Sequence, residues 1–166
     1  MDYLWTPWRY RYVSDPTKED SCIFCEALSL GDDAKSLIVF RGAKNFVILN
    51  RFPYSTGHVM VVPYAHVPDL IACEEETLGE LWRTARLVQR ALAAVYAPEG
   101  YNLGMNLGRC AGAGVTGHLH LHVLPRWIGD TNFMTVVGET RVQPEDLSVT
   151  YEKLRRALHG EAKAKA

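Results

Sequence analysis

The run HLHLHVL, residues 118–124, alternates histidine with aliphatic residues and so has a period of two. Successive side chains of a β-strand point to opposite faces, so this period predicts a strand over 118–124. One face carries Leu119, Leu121 and Val123, which is typical of a buried core. The other face sets three imidazoles side by side, and that face must meet solvent, a buried hydrogen-bond network or a ligand.

Spacing alone leaves four interpretations of His118, His120 and His122 open. Histidines on a solvent-exposed strand can be incidental, and buried ones can be satisfied by hydrogen bonds. Three imidazoles can also form a catalytic zinc site. A neutral imidazole is, in addition, a good nucleophile near pH 7. The metal and nucleophile interpretations carry equal weight at this point.

The rest of the chain predicts an α+β domain. Apolar, β-rich stretches predict four further strands, at residues 36–40, 45–50, 57–63 and 101–107. Apolar residues at three- and four-residue steps predict one long amphipathic helix over 74–96. Shorter helices are predicted from Cys22 or Cys25 and over 144–158. Hairpin-linked strands with the long helix before the last pair indicate an antiparallel five-stranded sheet.

Size and charge limit the possible functions. The chain has 166 residues and a formal net charge of -1, without a block of one sign. We expect one domain over 1–160 and a disordered tail over 161–166, and no binding to a nucleic-acid polymer. The sequence has neither a signal-peptide core nor an apolar run of about 20 residues, which predicts a cytoplasmic protein without membrane contact.

HLHLHVL matches the His-φ-His-φ-His-φ-φ signature of the histidine triad (HIT) superfamily of nucleotide hydrolases and transferases, where φ is apolar. The segments LWTPWR, ILN, GHVMVVPYAH, MNLG, PRW and GDTNF also resemble that family, in order, over most of the chain. LWTPWR, PRW and GDTNF are most similar to the branch that contains diadenosine tetraphosphate phosphorylases. The resemblance implies a HIT-like fold and a homodimer whose two sheets join.

The resemblance also implies roles for individual residues. His120 would attack the α-phosphorus of a nucleotide and form a nucleotidyl-histidine. His122 would hydrogen-bond phosphate oxygens or the leaving group, and the backbone at His118 would hold the His120 ring in the correct tautomer. His58 matches a further family histidine near the phosphates, and Asn106 matches an asparagine that contacts phosphate.

The remaining nucleotide contacts come from a strand end and a loop. Asn50 matches the family residue that holds the ribose hydroxyls. The loop GRCAGAG contains Gly112 and Gly114, whose backbone N–H groups could approach an anion. Many family members have glutamine and serine four and three residues before the first histidine, where this chain has Gly114 and Val115. Thr116 is the nearest hydroxyl, so leaving-group donation would fall to Thr116 or to the backbone.

Cys22 and Cys25 form a C-x-x-C motif. In a reducing compartment this spacing is half of a metal site or a redox pair, and the simplest alternative is two small buried residues. Some HIT proteins, and the similar galactose-1-phosphate uridylyltransferases, bind zinc through such a motif and two histidines. The resemblance therefore implies a closed, structural zinc site at Cys22, Cys25, His66 and His118.

The expected function is cleavage of a dinucleoside polyphosphate, diadenosine tetraphosphate, by phosphorolysis through His120. One alternative is hydrolysis of other nucleoside phosphates or phosphoramidates by the same mechanism. Another is a zinc hydrolase that uses the three triad histidines as metal ligands. A nucleotide-binding protein without turnover is the third.

Overall fold

The computed structural model describes residues 21–130 and 145–163, so LWTPWR and the end of GDTNF lie outside the described residues. The strands there are β1 Ile38–Arg41, β2 Asn45–Leu49, β3 Val59–Pro63, β4 Gly100–Gly104 and β5 Leu121–Arg126. The helices are α1 Ile23–Ser29, α2 Asp33–Ser36, α3 Glu75–Tyr96 and α4 Leu147–Lys163. All strand pairs are antiparallel, in the order β1-β2-β3-β5-β4. The predicted antiparallel α+β architecture is confirmed.

The last strand begins later than the alternating pattern predicts. β5 starts at Leu121, and residues 118–120 precede it. The neighbouring strand β3 ends at Pro63, which has no N–H to continue the ladder. The Leu119 amide donates instead to the Val67 carbonyl, at 2.7 Å. The prediction of a strand at 118–120 is therefore wrong, because this segment is bonded to a loop.

Other boundaries also differ from those predicted, and β3 starts at Val59, two residues late. β1 starts two residues late because α2, which the sequence reasoning missed, ends at Ser36, and Leu37 has a left-handed φ of 65°. β4 ends at Gly104, before the glycine-rich loop, so 105–107 are not strand. α4 begins at Leu147 and extends to Lys163, and it includes the first three residues of the tail expected to be disordered.

The two faces of the sheet are covered differently. α3 and α4 pack on one face over the main core, which includes Val47, Leu49, Val59, Val61, Leu81, Leu92, Leu121, Val123, Leu154 and Leu158. α1 covers the β1–β3 half of the other face, over a second cluster that includes Phe24, Ile38, Phe46, Ile48, Met60 and Val62. His122 pairs with Met60 in the ladder and so lies on this second face. Beside it, Asn102 and Gly104 of β4 are exposed.

A glycine in a left-handed conformation leads into β3 and His58. Gly57 has φ +79°, and a Cβ at this position would lie 3.0 Å from Leu92 Cδ2, 3.2 Å from Tyr96 Cε2 and 3.3 Å from Pro125 Cγ. Both the backbone conformation and the space therefore require glycine here.

We expect Gly57→Ala to lower the free energy of unfolding by about 2–4 kcal/mol, from backbone strain and overpacking together. Gly31→Ala is the matched control, because Gly31 has φ +64° but a Cβ added there would meet nothing within 4 Å. In the control the free energy of unfolding should fall only by the cost of backbone strain, about 1 kcal/mol. Urea unfolding measures both, and equal losses would show that the contacts around Gly57 relax freely.

Candidate functional site

The three triad histidines cross the boundary between a loop and a strand. His118 and His120 lie just before β5 and are 1% and 6% exposed, and His122 lies within β5. The rings of His120 and His122 are 4.9 Å apart, edge to face. The structure therefore brings the predicted nucleophile and its predicted assistant into contact.

The tautomer of His120 follows from one hydrogen bond. Its Nδ1 lies 2.8 Å from the carbonyl oxygen of His118. A carbonyl only accepts, so Nδ1 carries the proton and Nε2 keeps its lone pair when the ring is neutral. Burial lowers the pKa of His120, with a smaller opposing effect from this hydrogen bond. The ring is therefore neutral near pH 7, with Nε2 available as a nucleophile.

A second chain of hydrogen bonds sets the tautomer of His122. The Tyr54 amide donates to Nδ1 of His58 at 3.1 Å, so His58 carries its proton on Nε2. Nε2 of His58 lies 2.9 Å from Nδ1 of His122, and the proton is donated across that distance. His122 must then carry its own proton on Nε2. The Nε2–H group of neutral His122 is therefore a hydrogen-bond donor. The adjacent ring, His120, offers a lone pair on its Nε2 instead.

Burial, and to a smaller extent the charge of His120, lowers the pKa of His122 to about 4. The unfolded ring has a pKa of 6.5, so between these values the unfolded chain binds more protons. Stability is therefore full above pH 6.5 and declines as the pH falls towards 4. We expect His122 to contribute about 3 kcal/mol of this loss.

Urea unfolding at pH 7 and pH 4.5 checks this prediction. The loss between the two pH values should be clearly smaller in His122→Asn than in the wild type. His159→Asn is the control, because His159 is exposed on α4. A wild-type loss in His122→Asn would show that another group causes the pH dependence.

The two asparagines predicted to contact the nucleotide lie just after the ends of different strands. Asn50 lies beside His58, with its Nδ2 3.3 Å from Nδ1 of that ring, and its Oδ1 accepts from the Phe52 amide at 3.0 Å. Asn106 follows β4 by two residues, and Gly104 of that strand pairs with His122. Asn50 therefore contacts His58, which is the hydrogen-bond partner of His122, and Asn106 follows a strand that pairs with the strand of His122.

Two backbone amides of the glycine-rich loop are already engaged, and one of them is that of Ala113, which donates to the Gly108 carbonyl at 3.4 Å. The Gly112 amide donates to the Arg109 carbonyl at 3.0 Å, in a short 3₁₀ turn. Gly114 and Thr116 are exposed, on the stretch that leads into His118. Of the three loop residues predicted to bind phosphate, Gly114 and Thr116 are therefore the better-placed candidates.

The Cys–His cluster, Cys22, Cys25, His66 and His118, comes together from distant parts of the chain. One ligand atom from each lies within 4.8 Å of the others. Cys22 Sγ is 3.2 Å from Nδ1 of His118, and Cys25 Sγ is 3.4 Å from Nδ1 of His66. Burial, with a further contribution from Cys22, raises the pKa of the Cys25 thiol.

The hydrogen bond at Nε2 of His118 determines which ring nitrogen faces the cysteines. Nε2 of His118 lies 2.9 Å from the Pro63 carbonyl and donates its proton there. Nδ1 therefore presents a lone pair to the two thiols, and a carbonyl partner of this kind is typical behind a metal-bound histidine. Two sulfurs and two imidazole nitrogens suit a tetrahedral ion such as zinc. These four residues could hold a metal.

The same hydrogen bonds argue against a metal site built from the three triad histidines. His118 presents its lone pair to Cys22 and Cys25, and the Nδ1 of His120 is engaged by a backbone carbonyl. Nδ1 of His122 accepts from His58. The three rings are therefore committed to different partners.

Two contributors to the site were missed by the sequence reasoning. Phe24 lies between the two cysteines of the motif, and its ring contacts His118 and His120. The sequence shows this aromatic residue inside the C-x-x-C motif, so its identity was available as a signal, whereas its burial was not. The Tyr54 amide left no signal, because any residue except proline supplies an N–H.

The family assignment rests on the sequence comparison as well as on this geometry. The profile of the HIT domain matches residues 32–127. This chain belongs to the HIT family. The match begins after Cys22 and Cys25, so the HIT profile covers the triad and His66 but not the cysteine half of the cluster.

Similar proteins support this HIT assignment. An "AP-4-A phosphorylase" of Mycobacterium tuberculosis is 39% identical over 158 residues, which cover 90% of this chain and 80% of that protein. A Zn-bound histidine triad family protein from Mycobacterium smegmatis has a TM-score of 0.71 and 28% identity, over 87% of this chain and 97% of its own. A histidine triad nucleotide-binding protein from Sulfolobus tokodaii has a TM-score of 0.68 and 28% identity, over 84% and 93%.

Among the helices in the described parts of this HIT protein, none is long and apolar enough to cross a membrane.

Proposed function

We propose that this HIT protein cleaves dinucleoside polyphosphates through a nucleotidyl-histidine formed on His120. The observation that carries the proposal is the hydrogen bond from His120 Nδ1 to the His118 carbonyl, because it leaves Nε2 as a neutral nucleophile. The 39% identical relative described as an AP-4-A phosphorylase supports the substrate class.

The reaction would proceed in two displacement steps. Nε2 of His120 attacks the α-phosphorus, a P–N bond forms, and the bond from that phosphorus to the leaving phosphate oxygen breaks. Nε2–H of His122 is a donor for the leaving oxygen or for the charge on the α-phosphate. An acceptor oxygen then attacks the same phosphorus, and the P–N bond breaks to return neutral His120.

We propose that the acceptor is orthophosphate, so that diadenosine tetraphosphate yields ADP and ATP. In this scheme Asn50 holds the ribose, and Asn106, Gly114 and Thr116 contact the phosphates. Gly112 shapes the loop. Thr116 or the backbone would take the place of the glutamine and serine donors of other HIT proteins.

Chromatography of the products, with and without orthophosphate, tests the acceptor. We expect ADP and ATP only when phosphate is present. AMP and ATP in its absence would mean that water is the acceptor and that the protein is a hydrolase. If neither pair forms, the substrate proposal falls, and other nucleoside phosphates and phosphoramidates become the next candidates.

We also propose that the metal of the Cys–His cluster is a structural zinc ion, held by Cys22, Cys25, His66 and His118. With four protein ligands the ion would have no open position for water, so it would stabilise the fold without activating a nucleophile. The Zn-bound relative supports this choice of metal.

The remaining proposals concern assembly and context. We propose a homodimer, because β4 is an edge strand whose residues 102–104 are exposed, and such an edge can pair with another strand. Light scattering on a sizing column tests it, and a monomer would contradict it. A single domain over 1–160 and a cytoplasmic location complete the proposal.

A further inference from the structure

Phe24 lies between the metal cluster and the predicted nucleophile. Its ring is 1% exposed. The ring centroid is 5.3 Å from that of His118, edge to face at 70°, and 5.1 Å from that of His120, at 48°. One buried ring therefore contacts both the metal-ligand candidate and the nucleophile.

The position of Phe24 is fixed from two directions. Within the second core cluster it packs with the interior residues of β2 and β3, among them Phe46 and Met60. Its sequence neighbours Cys22 and Cys25 reach His118 and His66. Closure of the Cys–His cluster thus holds the first turn of α1, and Phe24 with it, against the histidine segment.

The ring of His120 needs such a support. Its hydrogen bond to the His118 carbonyl fixes which nitrogen carries the proton, but a single bond at Nδ1 leaves the tilt of the ring free. His122 contacts the ring at 4.9 Å and 75°. Phe24 supplies a second aromatic contact, and together the two contacts restrict the direction of Nε2.

We propose that Phe24 is a positioning residue for the nucleophile, which aligns His120 Nε2 for attack and couples that alignment to the Cys–His cluster. The inference rests on the proposed function, because it assumes that His120 attacks phosphorus. It extends the role of the C-x-x-C motif from stabilising the fold to orienting the reacting atom. Misplacement of a reacting group by about 1 Å can reduce a rate by about 10²-fold.

The test compares Phe24→Leu with Phe46→Leu in the zinc-loaded protein. Phe46 is also fully buried and belongs to the same cluster, and its ring pairs with Tyr64, with a centroid distance of 5.4 Å. The control therefore removes an equivalent ring from the same cluster. Single-turnover quench with diadenosine tetraphosphate measures formation of the nucleotidyl-His120 adduct, and atomic emission measures the zinc content.

We expect Phe24→Leu to form the adduct about 10- to 100-fold more slowly than Phe46→Leu, with equal zinc content and substrate affinity changed less than about twofold. Phe24→Met, which fills the same space flexibly, should show a similar loss and serves if the leucine variant folds poorly. Equal rates in Phe24→Leu and Phe46→Leu overturn the inference. The inference is also overturned if Phe24→Leu forms the adduct slowly only because it has lost zinc, and recovers its rate when zinc is added back.

Adduct formation by the wild type distinguishes failure of this inference from failure of the proposed function. If the wild type forms no adduct, the proposed function fails, and the inference fails with it. If the wild type forms the adduct and the two leucine variants do so equally fast, the proposed function stands and only the role of Phe24 is overturned.

Discussion

Replacing His120 with asparagine will reduce turnover of diadenosine tetraphosphate by about 10⁴-fold or more, while nucleotide binding persists. The reason is that the two displacement steps both pass through His120 Nε2, and asparagine offers no comparable lone pair. Loss of a covalent nucleophile in other enzymes has effects of this size, because the remaining groups only position the substrate. No adduct should accumulate in the variant.

Product chromatography and equilibrium binding of a non-hydrolysable analogue measure these two properties. His159→Asn is the matched control: it makes the same substitution at an exposed histidine on α4, and its turnover should equal that of the wild type. Turnover in His120→Asn within about tenfold of the wild type would exclude a nucleotidyl-His120 intermediate. Loss of binding in parallel with turnover would show instead that the side chain shapes the nucleotide site.

The sequence predicted the parts of the fold that depend on periodicity. The long helix, observed at Glu75–Tyr96, follows from apolar residues at three- and four-residue steps, and β5 follows from alternation. The other four strands follow from short apolar, β-rich stretches, and β2 and β3 are buried along their whole length. The start of β5 could not be predicted in this way. It depends on Pro63 of the neighbouring strand and on the bond from Leu119 to Val67, and both are properties of the tertiary pairing.

The candidate site shows the same division. The sequence signature predicted which histidines belong to the candidate site, and the structure brings His58, His120 and His122 into contact. The signature could not indicate which nitrogen of each ring carries the proton, because that depends on partners such as the Tyr54 amide and the His118 carbonyl. These backbone groups have no identity in the sequence, and yet they decide which ring can attack and which can donate.

His118 links the two functions of the site. Its ring is a ligand candidate in the Cys–His cluster, and its carbonyl accepts from the nucleophile. A change in the cluster therefore reaches His120 through one residue. Substituting His118 would remove its ring from the Cys–His cluster, whereas the carbonyl that accepts from His120 is a backbone group and would remain.

We expect Cys25→Ser to lower the melting temperature by about 10 °C or more and to abolish stoichiometric zinc binding. Without its thiolate the cluster keeps three ligand candidates, and a bound metal contributes its binding free energy directly to stability. A loss of about 3–5 kcal/mol corresponds to a shift of roughly this size in a domain of about 150 residues. Cys110→Ser is the matched control, because Cys110 is exposed and lies outside the Cys–His cluster.

Calorimetry with and without a chelator separates metal loss from other effects of the substitution. The chelator should lower the melting temperature of the wild type and of Cys110→Ser towards that of Cys25→Ser, and should leave Cys25→Ser unchanged. Cobalt in place of zinc should give thiolate-to-metal absorption in the wild type. If that absorption is absent while cobalt still binds, the metal lies away from the cysteines. Equal melting temperatures for Cys25→Ser and Cys110→Ser would show that the cysteine pair is only packed, because a closed four-ligand site cannot lose a thiolate without losing stability.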